Sequence, residues 1–208
     1  QKGARDLLST VFRVRIHWGW YVFAFVLFPV IGLASVYGYR LFWGLWDKPV
    51  VFDWYDIEHI EPWTLMMITL ISIGDEVAWF SYAFPRMKKH FRPIPASLLI
   101  GVVWFLWYWP RLYISDMVAD PSIPIPLFFL HFVAMGSLSA WAYQSTRSGA
   151  VLVIMQVVAN YAFLVMPVLP QAAGNYYPFA MKVVAMAATT VILVALFGTD
   201  LKYKPRTK

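Results

Sequence analysis

The run Gly74-Asp75-Glu76-Val77-Ala78-Trp79-Phe80-Ser81-Tyr82-Ala83-Phe84-Pro85-Arg86 places two adjacent carboxylates inside an apolar stretch and closes it with a proline and a basic cluster. A charged side chain at the centre of a membrane helix costs about 2.5 kcal/mol or more, so such residues mark a function or find partners inside the bundle. That the stretch is a membrane span follows from its surroundings. The chain of 208 residues is 61% hydrophobic and only 13% charged. Soluble domains are nearer half apolar and about a quarter charged, so composition alone indicates a membrane protein. Eleven Trp, twelve Tyr and sixteen Phe suit aromatic belts at both interfaces. The absence of cysteine excludes disulfides, thiolate metal sites and cysteine nucleophiles.

Working outward, the carboxylate pair lies in a second span of about Pro62 to Phe84, followed at once by Arg86, Lys88, Lys89 and Arg92. The first span runs from about Trp18 to Phe42 and is long enough to cross a hydrocarbon core of about 30 Å. Ahead of it, residues 1–17 form a basic segment (Lys2, Arg5, Arg13, Arg15) with apolar residues that suit a short surface helix. Between these spans, residues 44–61 are acidic and aromatic, with Asp47, Asp53, Asp56, Glu58 and Glu61. A third span, about Ile94 to Tyr113, is rich in Trp; a loop with Asp116 and Asp120 leads to a fourth, about Ile125 to Ser145. A short turn with Arg147 joins it to a fifth, about Val151 to Leu169, and a sixth covers about Tyr177 to Phe197. The expected organisation is one six-helix transmembrane domain over 18–200, with a basic tail at 201–208. The first apolar run is long and lacks a small-residue cleavage site after it, so no cleavable signal peptide is expected.

Charge tests this count. With six spans, thirteen of the seventeen Lys and Arg fall on one side, and seven of the eleven acids lie in the opposite loops. The positive-inside rule then places both termini in the cytoplasm. The net charge of +6 is explained by this distribution at span ends, so nucleic acid is not an expected partner.

Helix rise puts Asp75 roughly 15 Å from the basic end of its span, with Trp104 and Asn160 at similar depths in spans three and five. Gln156 is one turn from Asn160 on the same face. Spans two, three and five can therefore bring Asp75, Glu76, Tyr108, Gln156 and Asn160 to one polar pocket near mid-membrane, because intramembrane polar groups need partners. His131 in span four admits three readings: a hydrogen bond to a neighbouring helix, a place in that pocket, or an axial ligand to a tetrapyrrole. Trp79, Phe80, Trp104, Trp107 and Tyr108 are candidate pocket walls, though Trp104, Trp107 and Trp109 also read as packing and belt residues. Lys182 and Arg40 lie near span ends and read as interface anchors that snorkel.

The run from Gly74 to Arg86 resembles the first signature of the CAAX-protease and bacteriocin-processing (CPBP, or Abi) family of intramembrane endopeptidases. That signature has two adjacent glutamates, three residues, then an arginine, often within Gly-Glu-Glu…Trp-Arg-Gly-Tyr…Pro-Arg. Gly74, Glu76, Trp79, Tyr82, Pro85 and Arg86 match it. The second signature, a histidine four residues after an aromatic or aliphatic residue, corresponds to Trp104 to Tyr108. The third, histidine with asparagine four residues on, corresponds to Gln156 to Asn160. The resemblance covers about residues 60–170 and implies the all-α, six-transmembrane-helix CAAX-protease-like fold.

In the family, a glutamate and a histidine are held to activate the attacking water, while a second histidine and the asparagine hold the oxyanion. Of the six positions, only Glu76 and Asn160 are unchanged here. The others hold Asp75, Phe80, Tyr108 and Gln156 in place of glutamate, arginine and two histidines. A base must sit within about 3 Å of the proton it takes, and Asp is one methylene shorter than Glu. Tyrosine, with an ordinary pKa near 10, is a poor substitute for imidazole at neutral pH.

The expectation is a catalytically degenerate member: a scaffold or accessory subunit of a larger membrane complex, respiratory or photosynthetic for instance, or a binder of a lipophilic ligand. Trp79, Trp104, Trp107, Tyr108 and His131 would contact a lipid or a tetrapyrrole pigment, and no metal site is expected. Expected partners are membrane lipids and other integral membrane subunits, in the inner (cytoplasmic) membrane of a prokaryote. The alternative is an active intramembrane protease with a rearranged site, using Glu76 as base and His131 as the missing imidazole.

Overall fold

The computed structural model describes residues 2–43, 62–114 and 121–201. The acidic loop at 44–61, Asp116, Asp120 and the basic tail from Lys202 lie outside the described residues. A short helix α1 (Lys2–Val11) precedes α2 (Gly19–Trp43), α3 (Pro62–Met87), α4 (Pro93–Tyr113) and α5 (Ile125–Thr146). The fifth span comprises α6 (Gly149–Val165) and one further turn, α7 (Pro170–Ala173); α8 (Tyr177–Phe197) is the sixth. Six helices are thus long and apolar enough to cross a membrane, each within a few residues of its expected span, and no strand occurs among the described residues. The chain is an all-helical integral membrane protein.

Local chemistry sets the helix ends. Prolines occupy the first positions of α4, α5, α7 and α8, where a missing N–H costs nothing and the fixed φ suits a helix. The α5–α6 turn is tight: Arg147 takes a left-handed conformation (φ 55°), and the Ser148 hydroxyl accepts from Val151 N–H as an N-cap. The same hydroxyl donates to the Arg13 carbonyl, and a Cβ on Gly149 would lie 2.9 Å from Val11 Cα. Hence α1 is clamped against the α5–α6 turn by backbone that only glycine admits. Leu7, Thr10 and Val11 are its half-buried face, with Leu8 and Phe12 outward.

Large apolar side chains cover the outside of the bundle, such as Val22, Phe25 and Val26 of α2 and Val191, Ile192 and Leu196 of α8. Lipid tails are as apolar as these residues, so burial does not drive helix association; close packing and internal hydrogen bonds do. Helices α4 and α5 approach backbone to backbone. A Cβ on Gly101 would stand 2.7 Å from Val133 Cα, and one on Gly136 would stand 3.1 Å from the Ser97 carbonyl. Ser97 and Gly101 form a small-xxx-small ridge against Gly136 and Ser137, which lets the two backbones touch. Helix α5 is the most enclosed, flanked by α4 and α8; α2 packs on α6 and α8, and α3 on α6.

Helix α3 is not regular throughout. Residues Val77–Ala83 form a π-helix, beginning directly after Glu76. Wider turns of this kind are rare and shift the register of the side chains that follow them.

Candidate functional site

Helices α3, α4 and α6 converge as the spacing implies. The Tyr108 hydroxyl of α4 donates to Asp75 Oδ2 of α3 at 2.6 Å. Arg111, one turn beyond Tyr108, sets its guanidinium carbon 4.5 Å from the Tyr108 ring centroid, where its charge also acts on Asp75. The indoles of Trp79 and Trp104 face the same carboxylate without reaching standard hydrogen-bond geometry. Across the interface with α6, Asn160 Nδ2 donates to Ser72 Oγ at 3.0 Å, and Ser72 donates on to the Ile68 carbonyl. One turn away, Thr69 and Tyr161 hydroxyls lie 2.7 Å apart.

Glu76 is placed differently from its neighbour. It is fully buried, and neither carboxylate oxygen has a hydrogen-bond partner among the described residues. Ser72, Glu76 and Phe80 recur at every fourth position along one enclosed face of α3. Phe80, at the family's arginine position, packs on Phe84 and Trp104 with centroids 5.9 and 6.1 Å away. A hydrocarbon ring therefore stands where a counter-charge would.

A cavity of about 180 Å³ opens between α3, α4, α5, α6 and α8. Tyr108, Gln156 and Asn160 line it, together with Trp104, His131, Arg111 and Lys182. Asp75 and Glu76 are not among its lining residues: Glu76 is fully buried, and the half-buried Asp75 lies beside the wall residue Tyr108. The Gln156 side-chain oxygen and His131 Nδ1 are both buried without a described partner. The His131 ring lies against Phe132 and Phe179, at 5.0 and 5.4 Å. Among the described residues no cluster of three His, Asp or Glu could hold a metal ion.

Of the sequence-derived candidates, Trp104, Tyr108, His131, Gln156 and Asn160 meet at the cavity, whereas Asp75, Glu76, Trp79 and Phe80 do not line it, and three more residues depart from expectation. Trp107 is 66% exposed on the outer surface of α4, a belt position and not a wall of the cavity. Lys182 was expected to snorkel to the interface; instead it is 2% exposed, with its amine 4.0 and 4.4 Å from the Phe179 and Phe163 centroids. The two ring faces hold it inside by cation–π attraction. Arg40, expected at the interface for the same reason, is also buried, 5.9 Å from the Tyr37 ring. Arg111 and Ser72 carried readable signals, since each lies one helical turn from a residue already singled out. For Lys182 the sequence had none, because a lysine near a helix end can point either way.

Chemically, the cavity presents hydrogen-bonding and cationic groups, and its imidazole is His131, away from the signature positions. Asp75 is engaged by Tyr108, Glu76 is sealed from the cavity, and the imidazole positions on α4 and α6 hold a phenol and an amide.

Two comparisons agree with this arrangement. Residues 58–162 match the family model described as "Type II CAAX prenyl endopeptidase Rce1-like". Over 96 residues the chain is 28% identical to "CAAX prenyl protease 2" of Methanococcus maripaludis, a match covering 44% of this chain and 35% of that relative. The chain thus spans about a third of the length of the curated relative it matches. With two signature segments lining one cavity, the first signature joined to it through the Tyr108–Asp75 bond, and a family match over half its length, the chain belongs to the Rce1-like CAAX prenyl endopeptidase family.

Proposed function

We propose that the protein is a non-proteolytic member of this family that uses the ancestral site as a binding pocket and works as a scaffold or accessory subunit beside other integral membrane proteins. The observation that carries this reading is the position of the carboxylates. A general base must reach the water it activates, directly or through one intervening water. Glu76, the surviving glutamate, is fully buried and does not line the cavity, and one oxygen of the Asp75 carboxylate accepts from Tyr108 at 2.6 Å. No imidazole stands at either signature position to share the task. The basic loops favour a membrane orientation with both termini in the cytoplasm, and the reading assigns the protein to a prokaryotic cytoplasmic membrane.

Two measurements test this. Purified protein in mild detergent is incubated with a farnesylated CAAX peptide and the products are followed by mass spectrometry. No peptide cleavage is expected from the natural chain, and none from Glu76→Gln. Cleavage that disappears in Glu76→Gln would refute the reading. Extraction from native membranes should recover the chain with stoichiometric partner subunits; a lone monomer would count against the scaffold role.

One observation favours a second reading. His131 lines the same cavity as Tyr108, Gln156 and Asn160, and its Nδ1 has no described partner. A rearranged protease would take its imidazole from α5 and its base from Glu76 after a shift of the π-helical stretch. In that case His131→Ala and Glu76→Gln would abolish the same cleavage.

A further inference from the structure

The cavity carries more cationic chemistry than the ancestral positions account for. Lys182 and Arg111 both line it, neither is a signature position, and Lys182 lies beyond the family match at 58–162. Lys182 is 2% exposed with its amine between two phenyl rings, and no described carboxylate faces it. Asp75, the carboxylate on which the Arg111 charge acts, does not line the cavity and already accepts from Tyr108. Aromatic faces compensate a buried ammonium only in part, and a desolvated cation calls for an anion. His131 adds an imidazole nitrogen with no described partner to the same space.

Apart from Thr64, Tyr108, Gln156 and Asn160, the rest of the lining is apolar, with Ile68, Ile71, Phe128, Phe132 and Leu164 among it. A free inorganic anion would gain its charge partner there but lose its hydration against hydrocarbon, whereas an acyl chain suits those walls. Size limits what enters. A cavity of about 150 Å³ accepts a benzene ring. One of about 180 Å³ therefore seats a head group and a few methylenes, with the remaining chain passing outward to the bilayer.

We propose that the cavity binds an anionic single-chain amphiphile, with its carboxylate or phosphate head at Lys182 and Arg111 and the first part of its tail against the α3 and α5 walls. This rests on the reading that the ancestral site has become a binding pocket, and it names the ligand class of that pocket.

The test uses the full chain in a non-ionic detergent with stearate dibrominated close to its carboxylate, whose bromines quench nearby tryptophan; Trp104 stands in the cavity wall. The quenching read is the part that Trp104→Phe removes from the signal of all eleven tryptophans. Saturable quenching is expected, weakened at least about tenfold in Lys182→Met and largely retained in Lys182→Arg. The brominated alcohol of the same length should bind much more weakly, dodecyl phosphate should compete, and inorganic phosphate should not. Equal binding of acid and alcohol, or an unchanged affinity in Lys182→Met, overturns the proposal. Competition by inorganic phosphate would make the ligand a free anion and overturns it too. Should Lys182→Met fail to fold, Ala159→Leu, which fills the cavity from α6, must abolish quenching; persistent quenching overturns the proposal. The same preparations are assayed for peptide cleavage. Glu76-dependent cleavage refutes the non-proteolytic reading whatever the acid does, whereas absence of both cleavage and quenching refutes only the ligand.

Discussion

Tyr108 and Asp75 show how one substituted position changes what a site can do. A histidine at 108 would hold a proton acceptor towards the cavity; the phenol instead donates a hydrogen bond to the Asp75 carboxylate, at 2.6 Å. The exchange turns a polar pair with catalytic potential into a bond between α3 and α4. A hydrogen bond to an ionised group contributes about 1.5–3 kcal/mol, and one to a neutral group about 1 kcal/mol. Tyr108→Phe should therefore destabilise the protein by about 1–3 kcal/mol, read as a lower midpoint of unfolding in mixed detergent micelles. Asp75→Asn should cost less, because the amide oxygen still accepts from the phenol. A Tyr108→Phe variant as stable as the natural chain would mean the pair contributes nothing to packing. On α6, Asn160→Leu removes the bond to Ser72. Interhelical polar bonds in membranes average about 0.6 kcal/mol, so the expected loss is smaller than for Tyr108.

At the scale of elements, the α4–α5 crossing holds Tyr108 and Trp104 against Phe132 and so shapes the cavity. Gly101 meets backbone, at 2.7 Å from Val133 Cα for an added Cβ, so neither neighbour can yield as a flexible side chain would. Gly101→Leu should force the helices apart, with an overpacking cost of about 1–3 kcal/mol or more. It should also weaken ligand quenching of Trp104. Gly32→Ala offers the contrast: its added Cβ would meet Met166 Sδ at 2.6 Å, the movable end of a long side chain, so a smaller loss of stability is expected. The spans themselves were legible because hydropathy and length report directly on the bilayer, and α3 to α8 all fall where apolar runs placed them. The signature positions were legible through the 3.6-residue repeat and their order along the chain. The π-helix at Val77–Ala83 was not, since its wider turns arise from tertiary packing and leave no periodicity of their own. Lys182 escaped for a related reason: which way a long side chain turns depends on rings contributed by α6 and by its own helix, and hydropathy says nothing of either.

For the molecule as a whole, the described structure brings the basic ends together. Helix α1 leans on the α5–α6 turn through Ser148 and Arg13; Arg86 and Lys89 line a hollow with Asp6 and Thr10; and Gln144 ties Lys88 to the Asp200 carbonyl. Residues from the start, the second span, the fourth and the end of the chain thus share one face. Thr64 and Arg111, by contrast, lie at the cavity end of their helices, with Ile123 and Leu169 just outside α5 and α7 at the same end. An even number of spans requires this division, and the positive-inside rule gives it a direction. Because the chain has no cysteine, single substitutions make the direction measurable without altering any native thiol. Lys89→Cys and Thr199→Cys are exposed positions on the basic face, and Ala172→Cys is exposed at the opposite end. In intact cells an impermeant maleimide should modify Ala172→Cys alone, and all three once the membrane is opened. The reverse pattern would place the basic face outside and turn the cavity towards the cytoplasm. Its amphiphile would then have to come from the inner leaflet.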